Sequence, residues 1–519
     1  MQPQQQQQPP YPGQQPYPGQ QPYPGQQQYQ APPQYPGQPQ YPGQPQYPPQ
    51  QQFPTQQDPP NVIYVTSATP APAPIQANTS WRNRPQTNAT AAAGLIFISG
   101  GANLALGVGW TQGSIYGSTY HFLYSWFIGV IIGTVLALPL RGVITNRLIT
   151  SLSTLLVIIA GIIFVSVPYD YDSLLAARYL NGIAIGLVTV PFLMNASEIA
   201  DIQYRGVCVT IEQYSISLGI AVQMMYASNW TQTVDFPANR LHGILDIIYG
   251  IFAAISLVSV VESPVDMIRK GNESAALETL GRLRRPQLVT TETQHLLNEY
   301  KTYVREEENL SWMQSFQRGL VPLVKMLLFR SMLLTFCMSL PLNLSIQYSS
   351  LVIGSTWVPT VAAVFRVLGG IVTIGMVDNV NRKMPSVFSI LIIGCFLIGL
   401  GSLFTSLSNI TSYDDMNSAM YLYLFLQLFA GFFVPYASIY LSEAFPLRAK
   451  PFLMAVVVIA EQIIQIIFID TITIRIGDNL MAQGIITVVV FLFLGLTMPE
   501  TRNTTLTEAQ IRFRKLVNL

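Results

Sequence analysis

Twelve long apolar runs, grouped six and six around one polar insert, limit this chain more than any other feature. They fall at about 91–111, 121–140, 148–167, 174–195, 208–228 and 241–261, and then at about 326–350, 355–377, 385–406, 419–442, 452–471 and 480–498. Each is near the roughly 20 residues needed to cross a hydrocarbon core. In lipid every backbone N–H and C=O needs an internal partner, so each run is expected to be a helix. The expected fold is therefore an all-α polytopic membrane protein of twelve spans in two six-helix bundles. The expected boundaries are a leader at 1–85, bundles at 90–262 and 326–498, a helical linker at 263–325 and a tail at 499–519.

Only 10% of residues are charged, against about 25% in soluble domains. The 27 basic and 26 acidic residues nearly cancel, which points to no nucleic-acid partner. Cys208, Cys337 and Cys395 fall in apolar runs at spacings that suit neither a disulfide framework nor a metal site. No catalytic dyad or phosphate-cradling loop is present, so neither an enzyme nor a cofactor is expected.

The leader is a different material. Residues 1–81 carry one charge, Asp58, and Tyr11, Tyr17, Tyr23, Tyr29, Tyr35, Tyr41 and Tyr47 recur at a step of six. A Gln/Pro/Gly/Tyr repeat has little aliphatic surface to bury, so disorder with polyproline II character is expected. It has no basic segment followed by an apolar core and so does not read as a signal peptide. Pro32-Pro33-Gln34-Tyr35 fits the PPxY pattern gripped by WW domains. The alternatives are a chance match within a Pro/Tyr repeat, and self-association of the leader.

Lys and Arg set the orientation. With both termini cytoplasmic, the outer loops hold only Arg240 and Arg475, Arg178 and Arg366 lie within runs, and the other 23 basic residues face the cytoplasm. The outer loops then carry the sequons at Asn229 and Asn409, candidate glycosylation sites. Amphipathic stretches at Glu273–Arg285 and His295–Glu306 read as short helices against the inner mouth.

Six junctions, in order, resemble the sugar porter branch of the major facilitator superfamily, with insect facilitated trehalose and glucose transporters closest in feel. Arg178-Tyr179-Leu180-Asn181-Gly182 resembles GRFLxG, and Ser197-Glu198-Ile199-Ala200 with Arg205-Gly206 resembles SEI(A)…RG. Glu262-Ser263-Pro264 resembles the ESP of PESPRW, and Asp378-Asn379-Val380-Asn381-Arg382-Lys383 resembles DRxGRR. Ser442-Glu443-Ala444-Phe445-Pro446-Leu447-Arg448 resembles SEIFPLRxR, and Pro499-Glu500-Thr501 with Thr505-Leu506 and Glu508 resembles PETKGKTLEE. The resemblance covers 90–510 and leaves out the leader.

It implies a major facilitator fold working by alternating access. It also implies gating salt bridges between the two bundles from Glu198, Arg205, Glu262, Asp378, Arg382, Glu443 and Arg448. The loop between spans two and three departs from the pattern, keeping Arg141 and Arg147 but no acid. For the solute, the resemblance implies Gln213, Asn343, Gln347 and Gln465 as binding amides. Leu342, Tyr348, Ser438 and Glu461-Gln462 replace residues of the family's sugar-binding pattern.

Arg366, in span eight, stands where the family often has a neutral polar residue. A charge at mid-bilayer costs about 2.5–3.5 kcal/mol on insertion scales, so it should seek a partner. Glu212 and Glu461 are the intramembrane acids available, and Glu212 is the geometric favourite across the bundle interface. A Glu212–Arg366 pair would gate the cavity or bind a charged solute group; alternatively Arg366 snorkels to one face. His121, His242 and His295 show no partner pattern for a proton relay, and span one lacks the acid of proton-coupled sugar porters. The expectation is a carrier of a sugar or similar polyhydroxylated solute, by facilitated diffusion. The alternatives are a carrier of a charged organic solute using Arg366, and a non-transporting receptor or scaffold acting through the leader. The plasma membrane is the location the resemblance implies.

Overall fold

A computed structural model of the chain describes residues 85–111, 119–229, 236–284, 287–471 and 475–518. The tyrosine repeat and the Pro32–Tyr35 motif lie outside them. Among the described residues there is no strand, and twelve helices are long and apolar enough to cross a membrane. Spans one to six are Pro85–Gly107, Tyr120–Val143, Asn146–Ser166, Tyr171–Ile199, Arg205–Asn229 and Ala238–Ser259. Spans seven to twelve are Trp312–Ile353, Val358–Met376, Lys383–Leu403, Tyr413–Glu443, Lys450–Asp470 and Ile476–Thr497. All belong to one compact unit, Ile75–Leu519.

Side-chain caps fix several starts. Thr145 accepts from the Leu148 N–H, Asp170 from Ser173 and Ser412 from Asp415. Each satisfies one of the donors that a helix start leaves open. Span seven differs most from the sequence expectation. Its helix begins at Trp312 instead of 326, because Ser311 and Gln314 close a capping box in the linker. Leu327–Met332 then form a π-helical turn, and the span breaks at 337–339 before Leu340-Pro341 restarts it. Proline suits that first turn because it needs no N–H there.

In the first six spans, two packs on four, one on five and three on six; in the last six, eight packs on ten and nine on twelve. The two sets meet along two seams, span two against eleven and span five against eight. Lipid gives helices no hydrophobic reason to associate, so close backbone approach matters. A Cβ on Gly186 would land on the Val130 carbonyl oxygen, and one on Gly431 on that of Arg366. Spans two–four and eight–ten thus use glycine in the same way. Large apolar side chains such as Ile255, Val258, Val489 and Leu492 remain exposed on the outer faces, as a lipid-facing surface requires.

The linker forms helices Pro264–Arg269, Glu273–Arg282 and Thr291–Glu308. It touches both sets of six. Tyr300 donates to the Glu198 carbonyl at 3.0 Å, and Glu307 accepts from the Leu447 N–H at 2.9 Å. Burial pushes the Tyr300 hydroxyl up to about 12, which keeps it a donor. Burial also raises the Glu307 carboxyl, against the pull of the Leu447 N–H and Arg514. The tail helix Leu506–Arg514 closes the same end, where Gln510 donates to Tyr303 at 3.0 Å.

Candidate functional site

The interface between the two sets of six is held at three levels: the linker end, the centre and the opposite end. At the linker end the bonds are ionic. Asp378, from the turn after span eight, accepts from the backbone N–H groups of Gly206 and Val207 at 3.0 and 2.9 Å. It therefore caps the start of span five across the interface, where the helix dipole favours an anion. A Cβ on Gly206 would collide with that carboxylate, which explains the glycine after Arg205. Arg382 ties Asp378 to Glu443, at 2.9 and 3.1 Å. Burial opposes charge on Arg382, but Glu443 and Asp378 outweigh it and push its pKa up. Arg205 reaches Glu443 at 3.7 Å and donates to the Thr504 carbonyl. Between spans eleven and four Lys450 lies 3.9 Å from Glu198 and donates to Ser197.

Two residues expected as gating salt bridges do other work. Glu262 accepts from the Asn146 and Arg147 N–H groups, within the first six spans. Arg448 donates to the Leu310 carbonyl and stacks its guanidinium over Trp312 at 5.2 Å. The acid missing from the loop between spans two and three is supplied from elsewhere, since Asp266 takes Arg141 in a two-point bond with both distances at 2.9 Å.

The centre corrects the sequence expectation. Glu212 pairs with Arg330, not with Arg366. The guanidinium meets Glu212 at 2.5 and 3.0 Å and Glu461 at 3.1 Å, and Ser438 donates to Glu212 at 2.7 Å. All three charged side chains are buried. Arg330 sits on the π-helical turn. Arg330 stands only four residues past the expected start of span seven and so reads as a linker-side charge, but the helix already begins at Trp312 and carries it into the bundle. Gln213 donates to Glu212 at 3.3 Å.

Arg366 instead bonds Gln427 at 2.9 Å and the Cys337 carbonyl at 3.4 Å. Gln465 donates to the neighbouring Met338 carbonyl at 3.3 Å. Both therefore gather at the break in span seven. Buried and without partners there are Arg366 Nε, Gln427 Nε2 and Gln465 Oε1, and one turn along span eleven Gln462 Oε1 is likewise unfilled.

The opposite end is closed by neutral bonds. Asn343 donates to the Val108 carbonyl at 3.0 Å, and Gln347 to that of Gly109 at 2.9 Å. Tyr423 in turn donates to Asn343 at 3.0 Å. Asn229, exposed at the end of span five, donates to Thr360 at 2.8 Å. Asn409 lies on the short helix Leu407–Thr411 at this same end.

The first six spans hold a second buried polar cluster. His242 and Asp246, one helical turn apart in span six, approach to 3.5 Å. Asn103 donates to Asp246 at 3.2 Å, and His242 Nδ1 is 2.7 Å from the Tyr226 hydroxyl. The sequence reading gave His242 no partner; the i, i+4 spacing to Asp246 was the available signal. Each nitrogen of the Arg178 guanidinium finds an acceptor among the Phe122, Leu123 and Asn103 carbonyls and the Ser125 hydroxyl.

A family model described as sugar (and other) transporter matches residues 86–513. The chain is 30% identical over 157 residues to the probable glucose transporter rco-3 of Neurospora crassa, covering 30% of this chain and 26% of that one. It is 26% identical over 352 residues to the hexose transporter HXT10 of Saccharomyces cerevisiae, covering 62% of each. The chain is thus aligned to less than two thirds of the length of either relative. The solved structure of the major facilitator proton:xylose symporter XylE bound to 6-bromo-6-deoxy-D-glucose superposes with a TM-score of 0.67 at 18% identity, covering 82% of this chain and 98% of that one. That likeness gives the fold, the major facilitator arrangement of two six-helix bundles. With its family match running from span one through the tail helix, the chain belongs to the sugar (and other) transporter family.

Proposed function

We propose that the protein carries a sugar or similar polyhydroxylated solute across a membrane by alternating access. The observation that carries this reading is the pair of closures. Bonds cross the interface at the linker end and at the opposite end, and between them lie buried amides with unfilled polar atoms. Such an arrangement is an occluded carrier with one gate toward each compartment. Gln213, Asn343, Gln347 and Gln465 supply the amide chemistry that sugar hydroxyls need once a gate opens. The test is uptake of labelled hexoses and pentoses into proteoliposomes. Uptake no faster than in empty vesicles would refute the carrier and favour a scaffold, whose partner binding should then vanish on deletion of residues 1–80.

Facilitated diffusion is the mode we assign. Coupling to protons is a second reading, favoured by the His242–Asp246–Asn103 cluster. Uptake that leaves its equilibrium level unchanged under an imposed pH gradient supports the first; accumulation driven by the gradient supports the second.

The linker end faces the cytoplasm in this reading, because Lys and Arg crowd that side even with Arg330 moved into the bundle. Asn229 and Asn409 are then outward and open to glycosylation, checked by glycosidase-sensitive mobility. The plasma membrane is the membrane we assign, checked by surface labelling. A WW-domain protein is the partner we assign to Pro32–Tyr35, checked by loss of capture in Tyr35→Ala.

A further inference from the structure

Two arginines are buried within the spans without an acid, and they are not alike. In span four, each of the Arg178 guanidinium nitrogens donates to a carbonyl or hydroxyl oxygen. Arg366, in span eight, is only 2% exposed. Its Nη1 reaches Gln427 and the Cys337 carbonyl, while its Nε has no acceptor. Gln427 turns its oxygen to the guanidinium, which leaves its amide nitrogen equally unfilled. Among the described residues no carboxylate lies within ion-pair distance of Arg366. The central acids Glu212 and Glu461 are both taken by Arg330.

An uncompensated cation and two idle donors on mutually bonded side chains are costly inside a bilayer protein. A ligand that brings one negative charge and two acceptors removes all three deficits together. A carboxylate does this, since it carries one charge and two acceptor oxygens. A phosphate ester brings two charges to one cation and leaves an excess. At the same break in span seven Gln465 of span eleven holds a free amide oxygen that suits a sugar hydroxyl, and Gln462, one helical turn away, holds another. Tyr423, one turn from Gln427, donates to Asn343 and so connects this cluster to the closure at the opposite end.

We propose that Arg366 and Gln427 form an anion subsite in the solute pathway and that the preferred solute is a sugar bearing a single carboxylate, of the hexuronate or hexonate class. This rests on the sugar-carrier reading above.

The test uses the full-length protein in proteoliposomes. Labelled hexose uptake is competed by a hexuronate, by its neutral hexuronamide and by a hexose phosphate. The expected result is competition by the hexuronate at least about tenfold stronger than by the amide, about 1.4 kcal/mol. Arg366→Gln should bring the two within about twofold, and Arg366→Lys should fall between. Equal competition by acid and amide in the unchanged protein overturns the proposal, whatever the variants do. A phosphate ester that outcompetes the carboxylate also overturns it. If no hexose moves at all, the carrier reading fails, and the subsite is read by thermal shift instead. Stabilisation by hexuronate and not by the amide supports it; no difference between them overturns it.

Discussion

The two ends of the bundle interface are closed by different chemistry. The linker end is ionic: Asp378 caps span five, Arg382 joins it to Glu443, and Lys450 faces Glu198. The opposite end is neutral, with amides of span seven on carbonyls of span one. Hydrogen bonds to charged groups are worth about 1.5–3 kcal/mol each, and neutral ones about 0.5–1.5. If the protein is the proposed carrier, the linker end should therefore be the harder gate to open, and the resting state should favour opening at the opposite end. The Glu212–Arg330–Glu461 cluster lies between them and restrains both.

The largest effect is expected at that centre. Arg330→Leu would leave two buried carboxylates without a cation, a loss of about 3–5 kcal/mol. Thermal unfolding in detergent checks this, and adding Glu212→Leu should restore part of the loss. An unchanged melting temperature in Arg330→Leu would remove the cluster from the comparison.

The ionic gate comes next. Asp378→Asn and Gly206→Ala both attack the cap on span five, and each should favour the linker-open state by about 1.5–3 kcal/mol. Cys208, buried three residues beyond Arg205, is a native reporter. Its labelling by a thiol reagent should rise about tenfold or more in both variants. Cys208→Ser provides the background from Cys337 and Cys395. Labelling unchanged in both would mean that the ionic bonds do not set the resting state.

The neutral gate should yield less. Asn343→Ala favours opening at the opposite end by about 0.5–1.5 kcal/mol, so Cys208 labelling should fall by a few fold. A change as large as that of Asp378→Asn, in the opposite direction, would erase the distinction between the two ends.

The smallest effect is on the linker. Burial raises the Glu307 carboxyl. Its contribution to the docked linker is therefore full below the ordinary carboxylate value and is lost as pH rises through the raised one. Proteolysis of the linker should be modestly slower at low pH than at neutral pH, and Glu307→Gln should flatten the dependence.

Much of this architecture is legible in the chain itself. Hydropathy accumulates residue by residue, so spans such as Asn146–Ser166 and Lys383–Leu403 announce themselves. The junction motifs also placed Asp378, Arg382, Glu443 and Arg205 at one end, where the structure brings them together. Other residues were hidden. Arg330 resembles an anchor at the foot of span seven, because apolar character begins near 326 while the helix itself begins at Trp312. Asp246 is a single acid in an apolar run, and its meaning depends on His242 one turn away and Asn103 in another span.

What the sequence determined alone is the number, order and apolar character of the spans, because crossing lipid is a property each segment carries by itself. What only the tertiary structure decided is which charge meets which. Pairing depends on how each helix is rotated about its axis, and neighbouring residues on a helix differ by about 100°. The π-helical turn at Leu327–Met332 closes its hydrogen bonds over five residues instead of four, which shifts the helix face, and it carries Arg330. In the packed bundle that turn faces Glu212 and Glu461, and Arg366 is left to Gln427.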